Sequence, residues 1–485
     1  MIPTTRLSNR TLVLLASAAV VVAFIARVID HAAPSWEIEL VAELALLVAA
    51  GVILLILGRS ATRHDVERIG HRLRAEVKAV GEQGREAVEQ VRVKQSRHEY
   101  LQERSLERLE RGMATLTAAT LPAPPQRHDG PARVLFVTSN GGGLGHLTRL
   151  MAVAEQMEAE TEFVTLSTAA DTARRRGHTV HYFPSADVAG LETPLWNRLF
   201  TGYLTDFVAS HRPDLMVFDG TWVYPGVTQA ARLAGIPLVW MQRGCWKPSA
   251  DTSQRDAAAE VCDMVIIPGD YGCDEVYPQG TNVPVRRVAP ISLVAREDMS
   301  SREEALAALG LDPARRQVLI QLGSGKLNDT ATLRAQAVKA VQGLGPEWVP
   351  VVTKSPLSTD PDVEGAVAVV SYPIAQHFAA FDAAIVAAGY NAVTECVGLG
   401  LPSVLVPNPD MLTDDQTRRA KGVADAGLAE IAEDGDAIGP ALERLRKRGD
   451  TEPAPEPVGA VEGAQHLVSF LGKHSAVRDS NVDVA

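Results

Sequence analysis

The apolar run Val134-Leu-Phe-Val137 passes directly into Asn140-Gly-Gly-Gly-Leu-Gly-His146, and Leu147, Leu150, Met151, Ala154 and Met157 follow at helical spacing. A strand apolar on both faces must be covered on both faces, which is the condition of a parallel sheet wrapped by helices. Glycines between such a strand and a helix let the backbone approach a ligand closely. The alternation continues with strand-like runs at Leu215–Asp219, Leu238–Gln242 and Met264–Pro268, and a second set spans Val318 to about Leu471. Strands alternating with helical stretches predict an α/β protein of two Rossmann-like domains, meeting near Ala289-Pro290.

The second set carries the most specific pattern, Ala388-Gly-Tyr-Asn-Ala-Val-Thr-Glu395 through Ala420. It reads as a glycine turn opening a helix, a strand at Ser403–Val406, and a loop holding Asp414-Asp415-Gln416. A helix start preceded by Gly389 offers free amides and a positive dipole end to an anion. Glu395 stands about one and a half turns into that helix, where an acceptor-only carboxylate suits the two donors of a ribose diol. Together they point to a nucleotide. Gly323-Ser324-Gly325 closes another strand. Gly325-Lys326 is no P-loop, because Leu327 follows the lysine and Ile320 stands where the first glycine is required. Gly141, Gly143 and Gly145 likewise fail the dinucleotide spacing.

These segments resemble family 28 of the GT-B glycosyltransferases, the type of the peptidoglycan-lipid N-acetylglucosaminyltransferases and galactolipid synthases. The likeness covers about residues 132–471, and Leu144 interrupts the glycine pair that the family places before the histidine. It implies a GT-B pair of domains with the nucleotide-sugar donor held by Gly323, Ser324, Gly325, Gly389, Tyr390, Asn391 and Glu395. Asp415 and Gln416 would contact the donor sugar, and the base would lie against Tyr372 to Ile374. His146 would face the cleft as the catalytic base. Gly143, Gly145, Asp219 and Arg243 belong to loops on the acceptor side, where Asp219 is the alternative base.

Residues 11–29 and 40–57 are apolar runs close to the ~20 residues that cross a bilayer as a helix. Arginines flank the pair on its outer sides and an acidic loop joins it, so a hairpin with both ends cytoplasmic is expected. Residues 60–117 read as a long charged helix. Val66, Val77 and Val88 recur at an 11-residue period, and Leu106, Leu109, Met113 and Leu116 follow heptad spacing. Self-association, a solvated single helix and a helix lying on lipid all fit that pattern. The resulting division is a hairpin at 1–59, the helix at 60–117, a Pro-rich linker at 118–131, an acceptor domain at 132–290, a donor domain at 291–472, and a tail at 473–485.

A net charge of −12 excludes general nucleic-acid binding. The four cysteines have no metal-ligand spacing and are expected to be reduced in a cytoplasmic domain. Asp360-Pro-Asp362 reads as a solvated turn, so no metal and no cofactor are expected, the nucleotide sugar being a substrate. The function expected is a membrane-anchored inverting transfer from a nucleotide sugar, UDP-linked foremost, to a lipid-linked or other envelope acceptor. The rivals are a nucleotide-sugar epimerase on the same scaffold and an inactive membrane scaffold.

Overall fold

The computed structural model describes residues 109, 130–139, 144–242, 244–273, 283–323, 330–354, 363–448 and 454–482. The two apolar runs, the Pro-rich linker up to residue 129, and the charged helix apart from Leu109 lie outside these residues. No helix among the described residues is long and apolar enough to cross a membrane.

The first sheet holds β1 (Arg133–Thr138), β2 (Glu160–Thr165), β3 (Thr179–Tyr182), β4 (Leu215–Asp219), β5 (Leu238–Met241), β6 (Met264–Pro268) and β7 (Val285–Val288). Its strand order is β3-β2-β1-β4-β5-β6-β7. The second holds β8 (Arg316–Gln321), β9 (Trp348–Thr353), β10 (Val367–Val369), β11 (Ala383–Ala387), β12 (Ser403–Val406) and β13 (Glu430–Ile431), in the order β10-β9-β8-β11-β12-β13. Every strand pairing is parallel. Both sheets therefore reverse their winding once, at β1/β4 and at β8/β11. Such a reversal opens a crevice beyond the strand ends, where ligands bind in α/β proteins.

Five helices position the residues argued below: α1 (Gly145–Ala154), α2 (Thr193–His211), α3 (Tyr390–Leu399), α4 (Gln416–Asp425) and α5 (Gly459–Val482). Each sheet is buried on both faces, as its apolar strands require. One face of the first packs Leu135, Val137 and Val164 against Phe200 and Leu204 of α2. The other packs Val134 and Phe136 against Leu147, Leu150 and Met151 of α1.

The last helix crosses back. Ala460, Ala464, Leu467 and Phe470 of α5 complete the first domain's core. The crossing is stitched at the junction between domains. Ala289 N donates to Glu462 at 2.6 Å, Gly459 N donates to the Pro290 carbonyl at 3.0 Å, and Ile291 pairs with Val458.

Cys245 and Cys273 correct the expectation of reduced thiols: they are joined by a disulfide, with Cα atoms 5.6 Å apart. The loops leaving adjacent strands β5 and β6 lie side by side at the sheet's carboxyl end, an apposition that a spacing of 28 residues does not announce. Cys262 and Cys396 are buried free thiols, whose pKa values burial pushes far up.

Candidate active site

His146 and Arg149 lie one turn apart at the start of α1 and reach the same carboxylate, Asp219 at the end of β4. The strand ends are neighbours, Thr138 of β1 pairing with Asp219. Arg149 grips Asp219 with two hydrogen bonds, Nε to Oδ2 at 2.7 Å and Nη2 to Oδ1 at 2.6 Å. His146 Nδ1 lies 2.7 Å from Oδ1. Asp219 is fully buried and Arg149 is 3% exposed. Burial alone would raise the Asp219 pKa, but the Arg149 and His146 charges and hydrogen bonds outweigh it and hold the carboxyl below its ordinary value. An ionised Asp219 accepts, so His146 Nδ1 carries the proton, and in the neutral ring Nε2 keeps a lone pair.

The second domain meets this group directly. Gly389 caps α3 in an extended conformation, with no side chain bonded to the helix end. Asn391 Nδ2 donates to the Gly145 carbonyl at 3.3 Å, which sets the N-terminus of α3 against that of α1. Two positive helix ends thus face one cleft beside His146. Tyr390 turns inward. Its ring lies 5.0 Å from the Arg149 guanidinium, and its hydroxyl accepts from Ile291 N at 3.0 Å. Burial pushes its pKa up to about 12. Tyr372 bonds Thr148 of α1 at 2.6 Å.

Glu395 is 8% exposed, and no cation among the described residues pairs with it. Burial pushes its pKa up to about 7. A buried carboxylate without a cation is costly, and hydroxyl donors from a ligand would relieve it. Asp415 caps α4 by accepting from Arg418 N at 3.0 Å. Gln416 Oε1 accepts from Asn408 N at 3.0 Å and so braces the loop after β12. Gly323 sits at φ 87° in the turn after β8, and Gly145 opens α1. Gly143, Arg243, Ser324, Gly325 and Asp360-Pro-Asp362 lie outside the described residues.

Sequence reasoning missed the clasp that holds the halves together. Arg419 of α4, fully buried, bonds Asp270 of the first domain at 2.6 Å and Asp414 at 2.8 and 3.1 Å. Gly272 and Gly422 permit this approach, since a Cβ on Gly272 would strike the Arg419 backbone in α4 and one on Gly422 would strike the backbone of Gly272. The loop before α4 also docks on the first domain, Lys247 N to the Thr413 carbonyl at 2.8 Å and Asp415 N to the Cys245 carbonyl at 2.9 Å. Arg149 was missed as well: its i+3 spacing from His146 was the available signal, and its partner lies 70 residues away.

Two doubly wound parallel sheets joined in this way define the class by its fold, the GT-B arrangement. The solved structure of a spinosyn forosaminyltransferase shares the fold, with a TM-score of 0.50 at 17% identity, over 70% of this chain and 99% of that one. Residues 302–453 match the model of the glycosyltransferase family 28 C-terminal domain. The chain is 28% identical, over 71% of its length and 100% of the relative's, to a protein of Nocardioides sp. named UDP-N-acetylglucosamine–N-acetylmuramyl-(pentapeptide) pyrophosphoryl-undecaprenol N-acetylglucosamine transferase. A protein of the same name from Clavibacter michiganensis is 25% identical over 71% of this chain and 98% of its own.

Proposed function

We propose that this glycosyltransferase moves a sugar from a UDP-sugar to a lipid-linked acceptor of the cell envelope, with inversion at the anomeric carbon and without a catalytic metal. The observation that carries the reading is the Asn391–Gly145 contact, which puts the N-terminus of α3 beside His146. Direct displacement needs an acceptor deprotonated on one side of the sugar and a diphosphate stabilised on the other. His146 Nε2 takes the acceptor proton, while Asp219 fixes the ring and supports the imidazolium that forms. The amides of α3, with the turn at Gly323-Ser324-Gly325, receive the departing diphosphate. Glu395 accepts from the ribose hydroxyls, and Gln416 holds the sugar-side loop. The names of the relatives support UDP as the nucleotide and a pyrophosphoryl-polyprenol as the acceptor.

The apolar runs at 11–29 and 40–57 anchor the enzyme at the membrane, and residues 61–116 are a surface for self-association. The positive charge outside the hairpin supports a cytoplasmic catalytic domain. The Cys245–Cys273 bond argues the other way, because the cytoplasm keeps thiols reduced. Protease digestion of inverted and right-side-out vesicles separates the two. Cleavage in inverted vesicles alone is expected, and protection there refutes the cytoplasmic placement.

The activity test is incubation with a panel of radiolabelled nucleotide sugars and a membrane lipid extract, followed by separation of lipid and soluble products. Label should enter the lipid fraction from one UDP-sugar, and Glu395→Ala should abolish this at substrate-limiting donor. Conversion of the donor to an isomer without any acceptor would establish the epimerase instead.

A further inference from the structure

A second cluster of chemical groups stands at the outer edge of the first sheet, under the end of α2. Glu162 of β2 pairs in register with Thr179 of β3, and His181 lies two residues beyond Thr179. Side chains alternate along a strand, so Glu162 and His181 share one face as diagonal neighbours. His211, the last residue of α2, comes down on that face. His181 Nε2 lies 3.7 Å and His211 Nε2 3.8 Å from one atom, Glu162 Oε2. All three ligand atoms fall within 4.8 Å of one another.

These separations are too long for hydrogen bonds. Glu162 Oε2 and His181 Nε2 are both buried atoms that have no hydrogen-bond partner. The His211 tautomer is set from behind, because its Nδ1 lies 3.0 Å from the Phe207 carbonyl and must donate to it. In the neutral ring its Nε2 therefore carries a lone pair aimed at a carboxylate oxygen. Two acceptors facing each other repel unless a proton or a metal cation lies between them, and 3.7–3.8 Å is too wide a gap for a proton to bridge as a hydrogen bond. Both rings are held in this orientation. His211 stacks on Phe207 at 3.8 Å with 7° between planes, and His181 meets the same Phe207 edge-on at 4.7 Å.

We propose that Glu162, His181 and His211 form a binding site for a divalent transition metal of the zinc class. Two imidazoles and one carboxylate suit Zn(II), Co(II), Ni(II) or Cu(II) and disfavour the all-oxygen preferences of Mg(II) and Ca(II). Zn–N bonds of about 2.0–2.1 Å place tetrahedral ligand atoms roughly 3.3 Å apart, so each imidazole closes on the carboxylate oxygen by about half an ångström. The hydrogen bond from His211 Nδ1 to a backbone carbonyl is the outer support that metal-bound histidines use. The side chains are 34–37% exposed, which leaves a fourth position open to water.

Two cations stand near the site, and each is already engaged. Arg174 is bonded to Asp171 at 2.6 Å, and Arg133 to Glu160 at 3.0 Å. The site is separate from sugar transfer. Glu162 precedes Thr165, the cleft end of β2, by three residues, about 10 Å of strand. A metal there would fasten the edge strand β3 to the end of α2.

The full chain, purified and stripped with chelator, is titrated with Zn(II) and separately with Co(II). One equivalent of zinc should bind and raise the melting temperature, and Co(II) should give the visible absorption of a four-coordinate N/O site. Loss of a second-shell partner already weakens metal affinity about 10–100-fold, so His181→Ala and His211→Ala should each weaken zinc by at least about 100-fold. Glu162→Gln, nearly isosteric, should do the same while melting like the stripped wild type. His178→Ala, a neighbour outside the trio, should bind as wild type. The site is refuted if the stripped wild type gains no melting temperature with zinc, or if the three ligand variants bind zinc as wild type does.

Discussion

At the scale of single residues, the site rests on two carboxylates that the fold treats oppositely. Asp219 is held ionised by Arg149, whereas Glu395 has no cation partner among the described residues and burial pushes its pKa up to about 7. If His146 is the base, His146→Ala should lower turnover by about 10²–10⁴-fold with donor affinity nearly unchanged. Steady-state kinetics at saturating acceptor check this, because full recovery there would leave His146 a positioning residue. The raised Glu395 pKa has a signed consequence for stability. Between its unfolded value of 4.5 and its folded value of about 7, the native state binds the extra proton. Stability therefore falls as pH rises through that window, by a few kcal/mol at most, and levels off above it. Thermal melts from pH 5 to 8 should show this slope in the wild type relative to Glu395→Gln, which lacks the titrating group. Parallel profiles for the two proteins would remove Glu395 as its source.

At the scale of elements, α1, α3 and α4 do the positioning, and they act across the domain junction. The N-termini of α1 and α3 meet through Asn391 and Gly145, while Arg419 of α4 ties the second domain to Asp270 of the first. Removing one member of a buried ion-paired group typically destabilises by about 3–5 kcal/mol, since the remaining charges stay buried unpaired. Arg419→Met should lower stability by that order and reduce transfer without touching His146. Gly422→Ala should act more narrowly, because its Cβ would collide with the backbone of Gly272. Small-angle scattering should then report a more open pair of domains, and an unchanged profile would show that the junction yields locally.

At the scale of the whole molecule, the chain closes on itself. The second domain ends in α5, whose Leu467 and Phe470 belong to the first domain's core. The first half is therefore not contiguous in the chain, since α5 returns to it after the whole of the second. Both sheets and the helices that position the site come from residues 133 onward. A chain of residues 132–485 should therefore fold and transfer sugar to detergent-dispersed acceptor, while leaving the membrane fraction on fractionation. Loss of all activity in that truncation, with an unchanged melting temperature, would give residues 1–131 a direct part in catalysis.

The sequence by itself determined the parts whose cause is local. β4, β6 and β12 run at Leu215–Asp219, Met264–Pro268 and Ser403–Val406, where unbroken apolar runs end at polar or turn residues. The α3 start at Gly389-Tyr390 follows from a glycine turn, and the resemblance to family 28 came from the same short stretches. Only the tertiary structure decided which side chains meet. Asp219 joins Arg149 across 70 residues, Arg419 joins Asp270 across 149, and Cys245 joins Cys273 through neighbouring strand exits. Tyr390, legible as a helix-start residue beside the nucleotide, turned out to brace Arg149. Strand order sets these meetings, and strand order follows from burial summed over the whole sheet. No window of sequence shorter than the sheet contains it.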